Sequence, residues 1–264
     1  MIKGVLVLIT RKRLAVRLNS SENLRPQLRT IADLGAGSVV LEAIGELAPR
    51  ELSQTGRREI RSLLRSGDLE IEALALPMRR NISDVDQWED RQQRLHAAMT
   101  LAYELGARTV MIAPGVASAD EKCAAIYHGH LKELANLAEH TGLLLVCESG
   151  MESADRLTKT LRELAHPSLA LSLDPGRLAT TGQNLVQVAS EAHDLIHQVY
   201  ATDPEFMGLG TGSHGRSVDW ESAMDLLEEI GYRGRLTIWP DRSIDLLTAV
   251  EEMGRRLKVT PRFG

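Results

Sequence analysis

Two carboxylates in the middle of the chain each end a short apolar run. Glu148 follows the run 143–147, and Asp174 follows the run 169–173. Short apolar runs bounded by turn residues are typical of buried strands in a parallel sheet. Residues 152–164, between them, are polar with apolar residues near helical spacing, so the unit predicts strand, helix, strand. Glu148 and Asp174 should then lie at the carboxyl ends of neighbouring strands, where parallel α/β folds keep their chemistry.

Two carboxylates in one small volume repel each other unless a positive group lies between them. Arg177 follows Asp174 by three residues and carries a permanent positive charge. Because a guanidinium can bridge carboxylates with its fork of donors, we predict that Arg177 takes the place of a metal ion here. The alternatives left open are that Glu148 and Asp174 only cap helices or form a structural ion pair, and that Arg177 is a solvated loop residue.

The elements that position these residues repeat along the chain as strand followed by helix. Eight strands, each followed by a helix, predict a single (β/α)8 TIM barrel over residues 1–264. The predicted strands are residues 14–18, 38–41, 69–76, 109–113, 143–148, 169–174, 196–201 and 235–239. The predicted helices lie within residues 20–34, 49–65, 84–105, 119–139, 152–164, 185–191, 217–230 and 243–257.

Charge and composition argue against several classes of function. The net charge is -5 and no basic block is present, which disfavours a nucleic-acid partner and an apurinic endonuclease activity. The apolar run at the N-terminus is too short to span a bilayer, so no membrane partner is expected. Two cysteines form neither a disulfide framework nor a zinc-site spacing, so we expect a cytoplasmic protein. Both a monomer and a homo-oligomer remain open.

Several segments, in order along nearly the whole chain, resemble the xylose isomerase-like TIM barrels, which include sugar and sugar-phosphate isomerases and epimerases. The longest is Leu-Ala-Tyr-Glu-Leu-Gly-Ala-Arg-Thr-Val-Met-Ile-Ala-Pro-Gly at residues 101–115. The others are the strand ending at Glu148, Leu-Asp-Pro-Gly-Arg at 173–177, Val-Tyr-Ala-Thr-Asp at 199–203, Val-Asp-Trp at 218–220 and the segment 231–239.

The resemblance implies a divalent metal held by a Glu, an Asp, a His and a second Glu from the fifth to the eighth strands. Glu148 and Asp174 match the first two positions. Tyr200 stands where the His is expected, and Trp239 stands where the second Glu is expected. Indole offers no lone pair to a metal and a protonated phenol is a poor ligand for hard cations. Arg177 also stands where the family often has a His.

These departures predict that the protein needs no cofactor. The alternative is a divalent metal (Mn, Mg, Co or Zn) held by Glu148 and Asp174, with Asp241 or His214 completing the site. If the protein is an active isomerase or epimerase, Glu148 is the candidate base; a proton shuttle between two opposed bases would lack its second base at Trp239.

The function predicted from the sequence is that of a divergent family member that binds a small polar or carbohydrate-like ligand, such as a sugar or sugar phosphate, at the carboxyl-end mouth of the barrel. The alternative is an active sugar isomerase or epimerase with an altered metal site. The candidate ligand-binding residues are Arg177, Tyr200, His214, Arg216 and Trp239.

Overall fold

The chain folds into a closed barrel of eight parallel strands that follow one another around the barrel in sequence order. The computed structural model describes residues 10–18, 23–150, 153–203, 217–240 and 244–259. The strands are β1 (Leu14–Leu18), β2 (Ser38–Glu42), β3 (Glu70–Leu76), β4 (Thr109–Ile112), β5 (Leu144–Glu148), β6 (Leu169–Leu173), β7 (Ile196–Ala201) and β8 (Leu236–Ile238). The predicted TIM barrel is therefore confirmed.

Helices cover the outside of the barrel. Within the described residues they are α1 (Leu24–Leu34), α2 (Gln54–Ser66), α3 (Trp88–Leu105), α4 (Glu121–His140), α5 (Ala154–Leu164), α6 (Pro175–Thr181), α7 (Leu185–Ala192), α8 (Trp220–Glu229) and α9 (Leu246–Arg256). No helix in these parts of the chain is both long and apolar enough to cross a membrane.

The strands alternate between two packing layers because successive side chains in a strand point to opposite faces. On β1, Leu14, Val16 and Leu18 join the large apolar layer between the strands and the helices. A second and smaller cluster, which includes Tyr200, fills the barrel interior. Its members are Val40, Ala73, Ala75, Met111, Val146, Ala170 and Tyr200. Arg17 has the opposite parity to Leu18 and is almost fully buried on the interior side.

Most of the predicted helices begin later in the structure, and one further helix, α6, was not predicted. Helix α2 begins at Gln54 rather than at residue 49, because the Ser53 hydroxyl accepts a hydrogen bond from the Gly56 amide and caps the helix there. The sequence predicts no helix between residues 174 and 185, whereas α6 covers Pro175–Thr181. A proline is well accommodated in the first helical turn, and Asp174 caps that turn from outside it.

Candidate functional site

The centre of the carboxyl-end mouth is the guanidinium of Arg17, which lies between two glutamates. Its Nη1 is 2.6 Å from Oε1 of Glu148, and its Nε and Nη2 are each 3.2 Å from Oε1 of Glu42. Only 4% of the Arg17 side chain is exposed, against 10% for Glu42 and 14% for Glu148. The three side chains come from β1, β2 and β5, so the closed barrel is what brings them together.

Two aromatic side chains complete this cluster. The Tyr200 hydroxyl donates to Glu148 Oε1 at 2.5 Å and accepts from Arg17 Nη1 at 2.5 Å. The guanidinium carbon of Arg17 lies 3.8 Å from the centre of the Trp239 ring, a cation–π contact. Tyr200 is buried, whereas 37% of Trp239 is exposed. We call Arg17, Glu42, Glu148, Tyr200 and Trp239 the mouth cluster.

The electrostatics of the mouth cluster keep Arg17 charged and Tyr200 neutral. Burial alone would lower the pKa of Arg17, but the charges of Glu148 and Glu42 and the contact with Tyr200 raise it above its ordinary value. Burial, together with the negative charge of Glu148, raises the pKa of the Tyr200 phenol well above its ordinary value. The phenol therefore remains a hydrogen-bond donor to Glu148 across the physiological pH range.

Asp174 lies beside this cluster and serves as the cap of α6. Its Oδ1 accepts from the Arg177 amide at 3.0 Å and from the Thr202 hydroxyl. Loss of hydration raises the pKa of Asp174 above its ordinary value; the hydrogen bonds and the nearby Arg177 charge oppose that rise, and the charge of Glu148 adds to it. Among the described residues no side chain or amide donates to its second oxygen, Oδ2.

The guanidinium that bridges the carboxylates is not the one predicted from the sequence. We predicted that Arg177 would do so, but its Nη1 donates to the carbonyl oxygen of Gly150. Helix α6 is the physical reason: Arg177 lies in its first turn, and its side chain crosses to the segment after β5. Arg17 makes the contact with Glu148 instead. The ligand-binding role assigned to Arg177 stays a prediction.

Glu42 and Arg17 were not predicted as site residues, although each carries a usable signal in the sequence. Glu42 ends the apolar run Ser-Val-Val-Leu of β2, which is the same pattern that identified Glu148. Arg17 is the one charged residue in the apolar strand Leu-Ala-Val-Arg-Leu, and buried charges in strands are rare unless they are paired. The other three predicted residues, His214, Arg216 and Asp241, lie outside the residues that the structure describes.

Among the described residues, the donors at the barrel mouth do not match the four-ligand metal site that the resemblance implies. Of the four expected positions, two hold carboxylates, one holds a phenol that keeps its proton, and one holds an indole. Oε1 of Glu148 is already occupied by Arg17 and Tyr200. Across the described ranges, no three His, Cys, Asp or Glu side chains are placed together to hold an ion. An arginine beside a metal would also add an unfavourable like charge.

The fold is shared with solved proteins of low sequence identity. The xylose isomerase domain protein from Planctomyces limnophilus is 18% identical, with 93% of this chain and 96% of that chain covered and a TM-score of 0.77. D-psicose 3-epimerase from Clostridium cellulolyticum H10, solved with D-tagatose, is 13% identical, with 93% and 95% covered and a TM-score of 0.74. At such identities the likeness shows the fold alone.

A third similar structure contains a metal. It is a xylose isomerase-like TIM barrel protein from Mycobacterium smegmatis in complex with magnesium, with 16% identity, 93% and 95% coverage and a TM-score of 0.72. No curated protein sequence matches the chain. The family model described as xylose isomerase-like TIM barrel matches residues 28–258, which is most of the chain. The chain therefore belongs to the xylose isomerase-like TIM barrel family.

Proposed function

We propose that this protein is a divergent family member whose barrel mouth binds a small carbohydrate-like ligand without a resident divalent metal. The observation that carries the proposal is the Arg17 guanidinium, which contacts Glu148 at 2.6 Å and Glu42 at 3.2 Å. In this account the arginine supplies the positive charge that a metal would otherwise supply between carboxylates.

The mouth still offers the groups that a polyhydroxy ligand needs. Oε2 of Glu148 and Oδ2 of Asp174 have no donor among the described residues, so both can accept hydrogen bonds from ligand hydroxyls. The exposed part of the Trp239 ring offers a flat apolar surface for the C–H face of a sugar ring. A few polar acceptors beside one aromatic surface suit a small neutral sugar better than a long chain.

Metal-assisted transfer of a proton between adjacent carbons has little support in this mouth. Such a shuttle uses two opposed bases, and Trp239 occupies the position of the second one. Glu148 also has one oxygen held by both Arg17 and Tyr200, which restrains its side chain. Relatives of this fold were solved as a 3-epimerase with D-tagatose and as a magnesium complex. The D-tagatose complex favours a sugar as the ligand here, and the magnesium complex makes metal dependence the property to test.

Isothermal titration calorimetry with D-psicose, D-tagatose, D-xylose and D-ribose 5-phosphate, with and without EDTA, tests the proposal. We expect at least one of these sugars to bind equally well in both conditions. Trp239→Ala should abolish most of the binding because it removes the exposed aromatic surface. Trp88→Ala is the matched control, because Trp88 stacks on His130 outside the mouth cluster.

Two results would overturn the proposal in different ways. If none of the four sugars binds, the mouth is not a carbohydrate site. If EDTA abolishes binding and Mn²⁺ restores it, the protein is a metal-dependent sugar isomerase or epimerase with an altered site, and the metal-free account fails.

A further inference from the structure

A cavity of about 550 Å³ lies beside the barrel mouth, between the segments that follow β2 and β3 and helix α3. A volume of roughly 300–1,000 Å³ is typical of sites for small organic molecules. The mouth cluster does not line this cavity. Its wall combines apolar side chains, among them Leu76, Pro77, Met78 and Leu95, with charged ones.

The charged residues in the wall are mostly arginines. They are Arg50, Arg79, Arg80, Arg91 and Arg94, against the single carboxylate of Glu51. Five positive groups facing one volume repel one another unless anions compensate them. If nearby carboxylates do not neutralise these arginines, an anionic ligand in the cavity can do so.

Part of the compensation comes from acids that do not line the cavity. Arg80 pairs with Asp84 at 3.1 Å and with Asp86 at 2.8 Å, and Arg94 pairs with Asp90. These pairs are largely exposed, so each contributes little to stability and leaves part of its arginine accessible.

Two wall arginines, Arg79 and Arg91, contact no carboxylate of the described residues directly. Arg79 is exposed and makes no hydrogen bond or ion pair with any residue that the structure describes. Arg91 donates only to carbonyl oxygens, at 3.0 Å to Asn81 and more closely to Asp84. Its Nε is buried, and no acceptor for it lies within the described ranges. A carboxylate or phosphate oxygen is the partner that guanidinium geometry fits best.

We propose that this cavity binds a small organic anion, a carboxylate or phosphate monoester attached to an apolar body. The oxyanion contacts Arg79 and the guanidinium of Arg91, and the apolar body packs against the Leu76 and Met78 side of the wall. The inference does not depend on the sugar site, because the two sites share no residue.

Calorimetric titration with phenyl phosphate and with benzoate, at low ionic strength, tests this inference and separates the two anion classes. We expect at least one of them to bind to the wild-type protein, and benzyl alcohol, which carries no charge, to bind far more weakly. Arg79→Gln should weaken the binding about tenfold, the scale of one lost charge-assisted hydrogen bond. Arg79 is exposed and makes no hydrogen bond or ion pair with the described residues, so this variant should fold normally.

Arg58→Gln is the matched control, since Arg58 is an exposed arginine on α2 that does not line the cavity. Trp239→Ala should also leave anion binding unchanged, which separates this result from that of the sugar titration. The inference is overturned if neither anion binds the wild-type protein, if Arg79→Gln binds as tightly as Arg58→Gln, or if benzyl alcohol binds as tightly as the anions.

Discussion

The barrel holds an arginine between two glutamates at each of its ends. At the carboxyl end, Arg17 lies between Glu42 and Glu148. At the amino end, Arg235 precedes β8 and contacts Glu70 at 2.6 Å and Glu72 at 2.7 Å. The distances are similar, but 27% of the Arg235 side chain and 70% of Glu70 are exposed, against 4% of Arg17.

The difference in exposure gives the two clusters different energetics. Exposed ion pairs contribute about 0–1 kcal/mol because water and salt screen them. A buried pair need not stabilise the fold relative to an apolar replacement, but removing one partner leaves an uncompensated buried charge, which costs about 3–5 kcal/mol. A gain in stability therefore does not by itself explain the mouth cluster.

The largest expected effect is that of Arg17→Met. Glu42 and Glu148 would then face each other with no positive charge between them, so we expect the free energy of unfolding to fall by about 3–5 kcal/mol near pH 8. Urea denaturation followed by circular dichroism measures it. Adding Glu148→Gln should recover part of the loss, because one of the two negative charges is removed. A loss below about 1 kcal/mol would mean that water screens the charges at the carboxyl end of the barrel as well as it screens those at the amino end.

Arg17→Ala sharpens the same comparison, because it opens space for another cation between Glu42 and Glu148. Millimolar Mn²⁺ should raise the melting temperature of this variant and leave the wild type unchanged, since binding to the folded state alone stabilises it. Arg235→Ala is the control at the amino end of the barrel. A wild type that responds to Mn²⁺ as strongly as the variant would contradict the replacement of the metal by Arg17.

Tyr200→Phe should have a smaller effect than Arg17→Met. It removes the hydroxyl that donates to Glu148 and accepts from Arg17 while it keeps the ring in the barrel interior. Hydrogen bonds to charged groups are worth about 1.5–3 kcal/mol, so the variant should lose that amount in the same denaturation experiment. A variant as stable as the wild type would show that water can take over the hydrogen bonds of the hydroxyl.

Asp174→Asn tests the pH dependence of the mouth. The pKa of Asp174 is raised above its ordinary value of 3.8, so the folded state binds its proton more tightly than the unfolded state. This contribution to stability is fully present below pH 3.8 and is lost as the pH rises through the folded-state pKa. The variant lacks this loss and retains an oxygen to cap α6. Its stability relative to the wild type should therefore rise from about pH 4 upward; a constant or falling difference would contradict the assignment.

The smallest effect on stability is expected for Arg235→Met at the amino end of the barrel. Its pair with Glu70 is exposed and its pair with Glu72 is only partly buried, so the free energy of unfolding should fall by about 1 kcal/mol, less than in Arg17→Met. The loss should shrink further in 1 M NaCl, whereas the loss in Arg17→Met should persist there, since burial limits screening. Equal losses in the two variants would remove the distinction between the two clusters.

The sequence predicted the barrel well because each strand and helix is a local pattern. It also predicted that Glu148 and Asp174 end neighbouring strands. It did not predict the partner of Glu148, because Arg17 is 131 residues away and meets it only across the closed barrel. Arg177 was favoured for its closeness in sequence to Asp174, but α6 directs its side chain towards Gly150.

The metal content of wild-type protein purified without chelator tests the central claim most directly. If Arg17 replaces the metal, inductively coupled plasma mass spectrometry should find manganese, cobalt, zinc and magnesium all far below one ion per chain. A near-stoichiometric amount of any of them in the wild type, lost in Glu148→Gln, would contradict the account.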